Sequence, residues 1–213
     1  QLKKKKKVLI DNITWLYENK HIDTAIIIAP KGVYMNWKNS EIPTHLPDDI
    51  PKNVYVWKAS ANKTEKAILE EGVKTRDKLR ILLVNVEAFA TAKVIKYLEA
   101  FIHRSNFMLA VDESTTIKNI KAKRTKAILK LGQSASHRRI LTGSPITQSP
   151  MDLYSQCYFL DKELLGFDSY WSFQGRYAII RQTRVGNHSF QQIVGFRNLE
   201  ELTDKLYNFS YRA

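Results

Sequence analysis

The run Ala25-Ile26-Ile27-Ile28-Ala29 has no polar position on either side of its pleat, and similar runs recur along the chain. Val54-Tyr55-Val56-Trp57, Ile81-Leu82-Leu83-Val84 and Phe107-Met108-Leu109-Ala110-Val111 are as short and as apolar; Arg138 to Leu141 is a more polar fifth. A strand that alternates in polarity can keep one face in water, whereas one apolar throughout must be covered on both. Between these runs lie segments with helical spacing: Val8 to Asn19, Val33 to Glu41, Ala61 to Arg80 with a break at Gly72, Thr91 to His103, and Lys121 to Leu131. Strand and helix in alternation predict an α/β chain with a right-handed, mostly parallel sheet and helices on both faces.

After Asp161 the pattern changes. Tyr177 to Gln182 and Phe190 to Val194 flank a Gly186-Asn187 pair, the signature of a β-hairpin, and Leu199 to Tyr207 has helical spacing. The expected division is a lobe over 1–165 and a hairpin–helix extension over 166–213.

Composition narrows the function classes. The chain is long enough, at 213 residues, for one substantial core, and its net charge of +13 suggests a polyanionic partner, most simply nucleic acid. A single cysteine, Cys157, excludes an internal disulfide framework and fits a reducing cytoplasm; its place among apolar helix positions predicts a core thiol. No apolar run approaches a membrane span, no signal peptide is visible, and the histidines are too scattered for a metal cluster.

The chemistry concentrates at Val111-Asp112-Glu113-Ser114-Thr115. Two adjacent carboxylates close an apolar strand, and the carboxyl ends of parallel strands are where open α/β sheets bind ligands. Such a pair suits a nucleoside triphosphatase, with Asp112 holding Mg²⁺ and Glu113 orienting and deprotonating a water. An exposed acidic strand end is the alternative on these residues alone. Farther on, Leu141-Thr142-Gly143-Ser144-Pro145 closes the next strand in a small-residue loop, followed by Ile146 to Pro150 and a helix opening at Met151.

From Leu109 to Asp161 the chain resembles motifs II and III of the Swi/Snf-like branch of superfamily-two helicase-type ATPases. That family writes D-E-A-H followed by I-K-N, then L-T-G-[ST]-P and a polar loop. Here Ile117-Lys118-Asn119 and Leu141 to Pro145 match, while Ser114-Thr115 replace Ala-His, a form similar to phage-encoded members and so to a bacterial host cytoplasm. The resemblance implies a RecA-like first lobe, ATP and Mg²⁺ as cofactors, and duplex DNA and a second RecA-like lobe as partners. It implies that Ser114, Thr115, Thr142, Gly143 and Ser144 couple nucleotide state to the grip on DNA. Ala29 to Trp37 resembles motif Ia and Asn85 to Phe89 the motif after the next strand, which makes Lys31, Gly32, Asn36, Asn85 and Glu87 candidate nucleic-acid contacts. Lys118 and Lys121 open a basic stretch continued by Lys123, Arg124, Lys126 and Lys130. The hairpin adds Arg176, Arg181, Arg184 and Arg197 with Tyr177 and Phe190 interleaved, a composition suited to strand tracking or simply to packing on the lobe.

One element of the family is missing from its place. Where a G-x-G-K-[ST] loop would cradle phosphates before Val8, the chain has Gln1-Leu2 and five consecutive lysines. Lys5 falls on the motif lysine but lacks the glycines, so a solvated basic tail is expected there. A second lobe, which in the family supplies arginines to the ATP site, is not recognisable either. The expectation is therefore a Swi/Snf-like ATPase lobe that is inactive alone. A non-enzymatic nucleic-acid-binding module with the lobe fold, or the motor lobe of a restriction enzyme, are its rivals.

Overall fold

The computed structural model describes residues 2–185 and 188–210. Five strands form one sheet: β1 (Thr24–Ala29), β2 (Lys52–Val56), β3 (Leu79–Asn85), β4 (Phe107–Asp112) and β5 (His137–Leu141). Their order is β2-β3-β1-β4-β5, and every pairing is parallel. From β1 the chain goes out to the edge strand β2, returns to place β3 between them, then crosses to the other side of β1 with β4 and β5. The carboxyl ends of β1 and β4 thus border the topological switch point, the usual ligand crevice of such sheets.

The apolar strands are buried on both faces, as their composition requires. Ile26 and Ile28 point into one core with Leu82, Val84, Leu109 and Val111. That core is covered by α4 (Lys63–Lys74), α5 (Ala92–Ile102), α6 (Lys123–Gln133) and α7 (Leu153–Leu160). Ala25, Ile27 and Ala29 point the other way, with Ile81, Leu83, Met108 and Ala110, onto α1 (Leu2–Glu18) and the segment after β1. That segment runs as α2 (Tyr34–Asn36), a π-helical turn (Trp37–Glu41) and α3 (Ile42–His45). The result is the expected three-layer α/β lobe.

Two expectations need correcting. The lysine run is no free tail: α1 begins at Leu2, and Lys3 to Lys7 form its first turns. Val8 to Leu16 carry the buried stripe (Leu9, Ile10, Ile13, Leu16), and the lysines extend that helix over the end of the sheet. Gly72 breaks nothing either. It lies inside α4, where a Cβ would come 2.8 Å from the Tyr55 ring, so the glycine is there for close packing. The helix starts where Asn62 and Glu65 cap each other reciprocally (2.9 and 3.0 Å) and ends at Lys74; Leu79 and Arg80 already belong to β3. In the turn after β1 the N–H groups of Val33 and Tyr34 both donate to the Pro30 carbonyl (2.8 and 3.0 Å).

The C-terminal part is α8 (Tyr170–Tyr177), the antiparallel pair β6 (Ala178–Val185) and β7 (His188–Phe196), and α9 (Leu199–Tyr207). The Gly186-Asn187 pair lies outside the described residues. A third core joins Met151, Leu153, Tyr154 and Cys157 to Leu165, Phe173, Tyr177, Ala178 and Leu202. Burial pushes the Cys157 thiol up to about 12, which makes it an inert packing group. Tyr177 is fully buried, and its hydroxyl donates to Glu201 (2.7 Å). It therefore cannot stack on a base. Among the described residues no helix is long and apolar enough to cross a membrane.

Candidate functional site

Asp112 is the last residue of β4 and is 2% exposed. Both of its oxygens are engaged. Oδ2 accepts from the Trp37 indole N–H (2.9 Å), and Oδ1 accepts from the Glu113 amide (3.1 Å). Trp37 is itself fully buried, so motif Ia contributes a core residue that also orients the motif II carboxylate. Burial raises the Asp112 pKa, against the pull of Trp37, Lys6 and the Glu113 amide.

Glu113 leaves the strand in the left-handed region (φ 52°, ψ 60°), costly for a residue with a Cβ. Among the described residues its carboxylate makes no hydrogen bond. Burial and the neighbouring Asp112 raise its pKa, the direction expected of a group that must take up a proton.

The lysines of α1 reach this strand end. Lys5 Nζ donates to the Thr142 carbonyl at the end of β5 (2.6 Å). Lys6 is 7% exposed; its Nζ lies 3.5 Å from Glu41 Oε1 and 3.9 Å from Asp112 Oδ2, and 5.3 Å over the Trp37 ring. Glu41, 6% exposed, also accepts from the Asn36 amide (3.0 Å) and pairs with His45 (3.7 Å).

A second network ties motif II to the loop after β5. Ser114, fully buried, donates to Gln156 Oε1 on α7 (2.6 Å), and Gln156 Nε2 donates to the Pro145 carbonyl (2.7 Å). The loop is shaped from within: Ser144 N donates to Thr142 Oγ1 (3.2 Å), which donates to Ser144 O (3.0 Å), and Ser144 Oγ donates to Ile146 O (2.8 Å). Asp152 Oδ2 accepts from Thr147 N, Thr147 Oγ1 and Gln148 N (3.0, 2.8 and 2.9 Å), with Lys118 3.6 Å away. Burial works to raise the Asp152 pKa, but these donors and Lys118 outweigh it and hold it low. Thr115 accepts through its carbonyl from Lys118 N (3.2 Å), and Gly143 is exposed with open space around it.

The nucleic-acid candidates fare unequally. Lys31, Gly32 and Glu87 are exposed. Asn36 is engaged by Glu41, and Asn85 Oδ1 accepts from Ala88 N (2.8 Å), capping the short turn after β3. Lys118 Nζ donates to Thr147 Oγ1 (2.6 Å), while Lys121 Nζ lies 4.9 Å over the exposed Trp171 ring. Lys123, Lys126 and Lys130 are exposed on α6, and Arg181 and Arg184 on the hairpin. Arg176 and Arg197 are structural instead: Arg176 pairs with Glu201, and Arg197 donates to Arg176 O (3.2 Å) and Gly175 O (2.5 Å).

Sequence reasoning missed Lys6, Glu41, Asp152 and Gln156. Gln156 carried a readable signal, a polar side chain among Leu153, Cys157 and Leu160. Glu41 and Lys6 carried none, since their meeting depends on the irregular π turn and on α1 extending through the lysines.

A family model described as the SNF2-related domain matches residues 5–205. A probable ATP-dependent DNA helicase of Arabidopsis thaliana, CHR12, is 28% identical over 153 residues, 71% of this chain and 13% of its own length. The human helicase-like transcription factor is 30% identical over 139 residues, covering 64% and 13% respectively. The chain thus spans about an eighth of the length of these curated relatives. Among solved structures, a Sulfolobus solfataricus SWI2/SNF2 ATPase core in complex with dsDNA shares the fold, with a TM-score of 0.56 at 23% identity, over 78% of this chain and 30% of that one.

Proposed function

The chain belongs to the SNF2-related family, and from that premise we propose that it is the first ATPase lobe of a Swi/Snf-like DNA-dependent ATPase, one that with a second lobe couples ATP hydrolysis to movement along duplex DNA. The observation that carries the reading is the Asp112–Glu113 pair at the β1–β4 switch point, wired through Ser114 and Gln156 to the loop after β5. In this reading Asp112 is the metal-side carboxylate and Glu113 the general base. The Thr142–Ser144 loop, with Ser114 and Thr115, transmits the state of that site to DNA. The dsDNA bound by the Sulfolobus core and the charge of +13 support a duplex partner. Lys31, Lys121 and the exposed lysines of α6 are the groups that would meet its phosphates. The hairpin–helix part over 166–213 would lead toward the second lobe, and the single buried cysteine suits a cytoplasmic setting.

ATP with Mg²⁺ does not fit the residues now in front of Asp112. Lysine side chains stand where a glycine cradle would leave room, and Lys6 holds an ammonium against Asp112. Among the described residues no group of three or more His, Cys, Asp or Glu side chains could hold a metal. ATP turnover by this chain alone is therefore expected to be negligible. The same Lys6 contact favours a second reading, a nucleic-acid-binding module that keeps the lobe without its catalysis.

Binding to labelled duplex DNA across a salt series tests the shared core of both readings. Affinity should fall with a slope of roughly 0.9 in log–log terms per phosphate neutralised. Replacing Lys31, Lys121 and Lys123 together by Ala should flatten that slope. Salt-independent binding would remove the DNA reading.

A further inference from the structure

Lys6 is an almost fully buried ammonium, and its surroundings explain why it stays. Its side chain is 9% exposed, and it faces two carboxylates that are themselves 8% and 2% exposed, Glu41 and Asp112. An unpaired charge at such depth is strongly unfavourable, so each carboxylate needs the ammonium as much as the ammonium needs them. The Trp37 ring under the ammonium adds a cation–π contact and, through its N–H, fixes Asp112 Oδ2 on the side facing Lys6. His45 Nε2 lies 3.7 Å from the other Glu41 oxygen, Oε2.

We propose that Lys6 is the resident cation of this site: its ammonium takes the place in front of Asp112 that a divalent metal would otherwise need, so Asp112 has a cationic partner with no metal bound. The proposal rests on the assignment of Asp112 made above and not on the DNA reading. The geometry has a direct consequence. A divalent ion would also be drawn to Asp112 and Glu41, but it can enter only by expelling an ammonium tethered to α1, whose neighbouring Lys5 is anchored on Thr142. The site is therefore closed to metal by its own helix. A short side chain at position 6 should open it, leaving a hard oxygen-ligand pocket of the kind Mg²⁺ and Mn²⁺ favour.

The test is Mn²⁺ titration of the full 213-residue chain followed by electron paramagnetic resonance of free Mn²⁺, without nucleotide or DNA. Wild type and Asp112→Asn should deplete free Mn²⁺ equally, because neither offers the site. Lys6→Ser should gain one equivalent bound at least tenfold more tightly than this background, and Lys6→Ser/Asp112→Asn should lose it. A wild-type site abolished by Asp112→Asn would overturn the proposal, and that comparison needs no Lys6 variant to fold. A folded Lys6→Ser chain that gains no Mn²⁺ would overturn it as well. Thermal melts give an independent measure: Lys6→Met should lower Tm by several degrees, and adding Asp112→Asn should return part of the loss. No recovery in the double variant would mean that the two charges are not coupled. Because neither readout involves DNA, failure of the DNA reading would leave these results standing, and the converse holds too.

Discussion

The Ser114 hydroxyl donates to Gln156 Oε1 at 2.6 Å, a fully buried hydrogen bond between motif II and the helix that follows motif III. Gln156 donates its amide N–H groups to Pro145 O and Asp152 O, so one side chain joins the acidic strand end to both borders of the polar loop. Gln156→Leu should cost roughly 1–3 kcal/mol, since it strands the Ser114 hydroxyl and the Pro145 carbonyl away from water. Ser114→Ala alone should cost a similar amount by stranding the Gln156 oxygen. Urea denaturation of both single variants and the double variant should give a coupling of about 0.5–3 kcal/mol. Strict additivity would mean that the bond does not link the two motifs.

Glu113 adopts a left-handed backbone and gains no hydrogen bond for its carboxylate among the described residues. A site that keeps such a residue trades stability for the placement of that carboxylate. Glu113→Asn should stabilise the chain by about 1 kcal/mol, because Asn enters this region readily. For a chain of this size that is a rise in Tm of about 2–4 °C. Glu113→Gln keeps the strained backbone and removes only the charge, so it should gain less. Equal gains for Asn and Gln would assign the cost to the charge and not to the backbone.

The sheet was legible because its central strands are apolar on both faces, a pattern that a buried parallel sheet satisfies and a half-solvated one does not. The site was legible as far as it is local in sequence. Asp112, Glu113 and the Thr142–Pro145 loop sit at strand ends, and strand ends follow from the apolar runs. What escaped depends on long-range geometry. Lys6 and Glu41 meet across separations that no periodicity encodes, and the π turn that aims Glu41 inward has no sequence signature in Trp37 to Glu41. The lysines were misjudged for a physical reason: five like charges repel as a free tail, yet three of them find partners once the helix forms and docks, Thr142 O for Lys5, Glu41 with Asp112 for Lys6, and Asp11 for Lys7.

Gly72 offers a sharp test of packing against propensity. In an exposed helix, replacing Gly by Ala stabilises by about 1 kcal/mol. Here the added Cβ would lie 2.8 Å from Tyr55 Cε1, and that ring is wedged edge-on against Phe101 with centroids 5.8 Å apart. The ring cannot withdraw without disturbing the core, so Gly72→Ala should destabilise by about 1–3 kcal/mol despite the better helix former. Gly72→Ala with Tyr55→Leu should recover part of that loss. A stabilised single variant, by chemical denaturation, would show that the Tyr55 ring gives way freely.

Asp152 makes the loop after β5 sensitive to acid, in a direction that can be worked out. Its folded pKa lies below the ordinary carboxylate value, held there by the amides of Gln148 and Thr147, the Thr147 hydroxyl and Lys118. A carboxylate depressed on folding adds stability above its unfolded pKa, about 3.9, and that stability is lost as pH falls through the folded pKa. Asp112 and Glu113 act with the opposite sign, because their folded pKa values are raised and their protonation favours the folded state. The whole-chain profile therefore mixes both signs, and only the difference between wild type and Asp152→Asn isolates this loop. That difference, from urea midpoints, should favour wild type at pH 6 and shrink progressively as pH falls below about 4. Solvent exposure of Thr147 and Gln148 amides, read by hydrogen exchange, should rise over the same interval. A wild-type advantage that stays constant from pH 6 to pH 3 would mean that the Asp152 charge does not hold the loop.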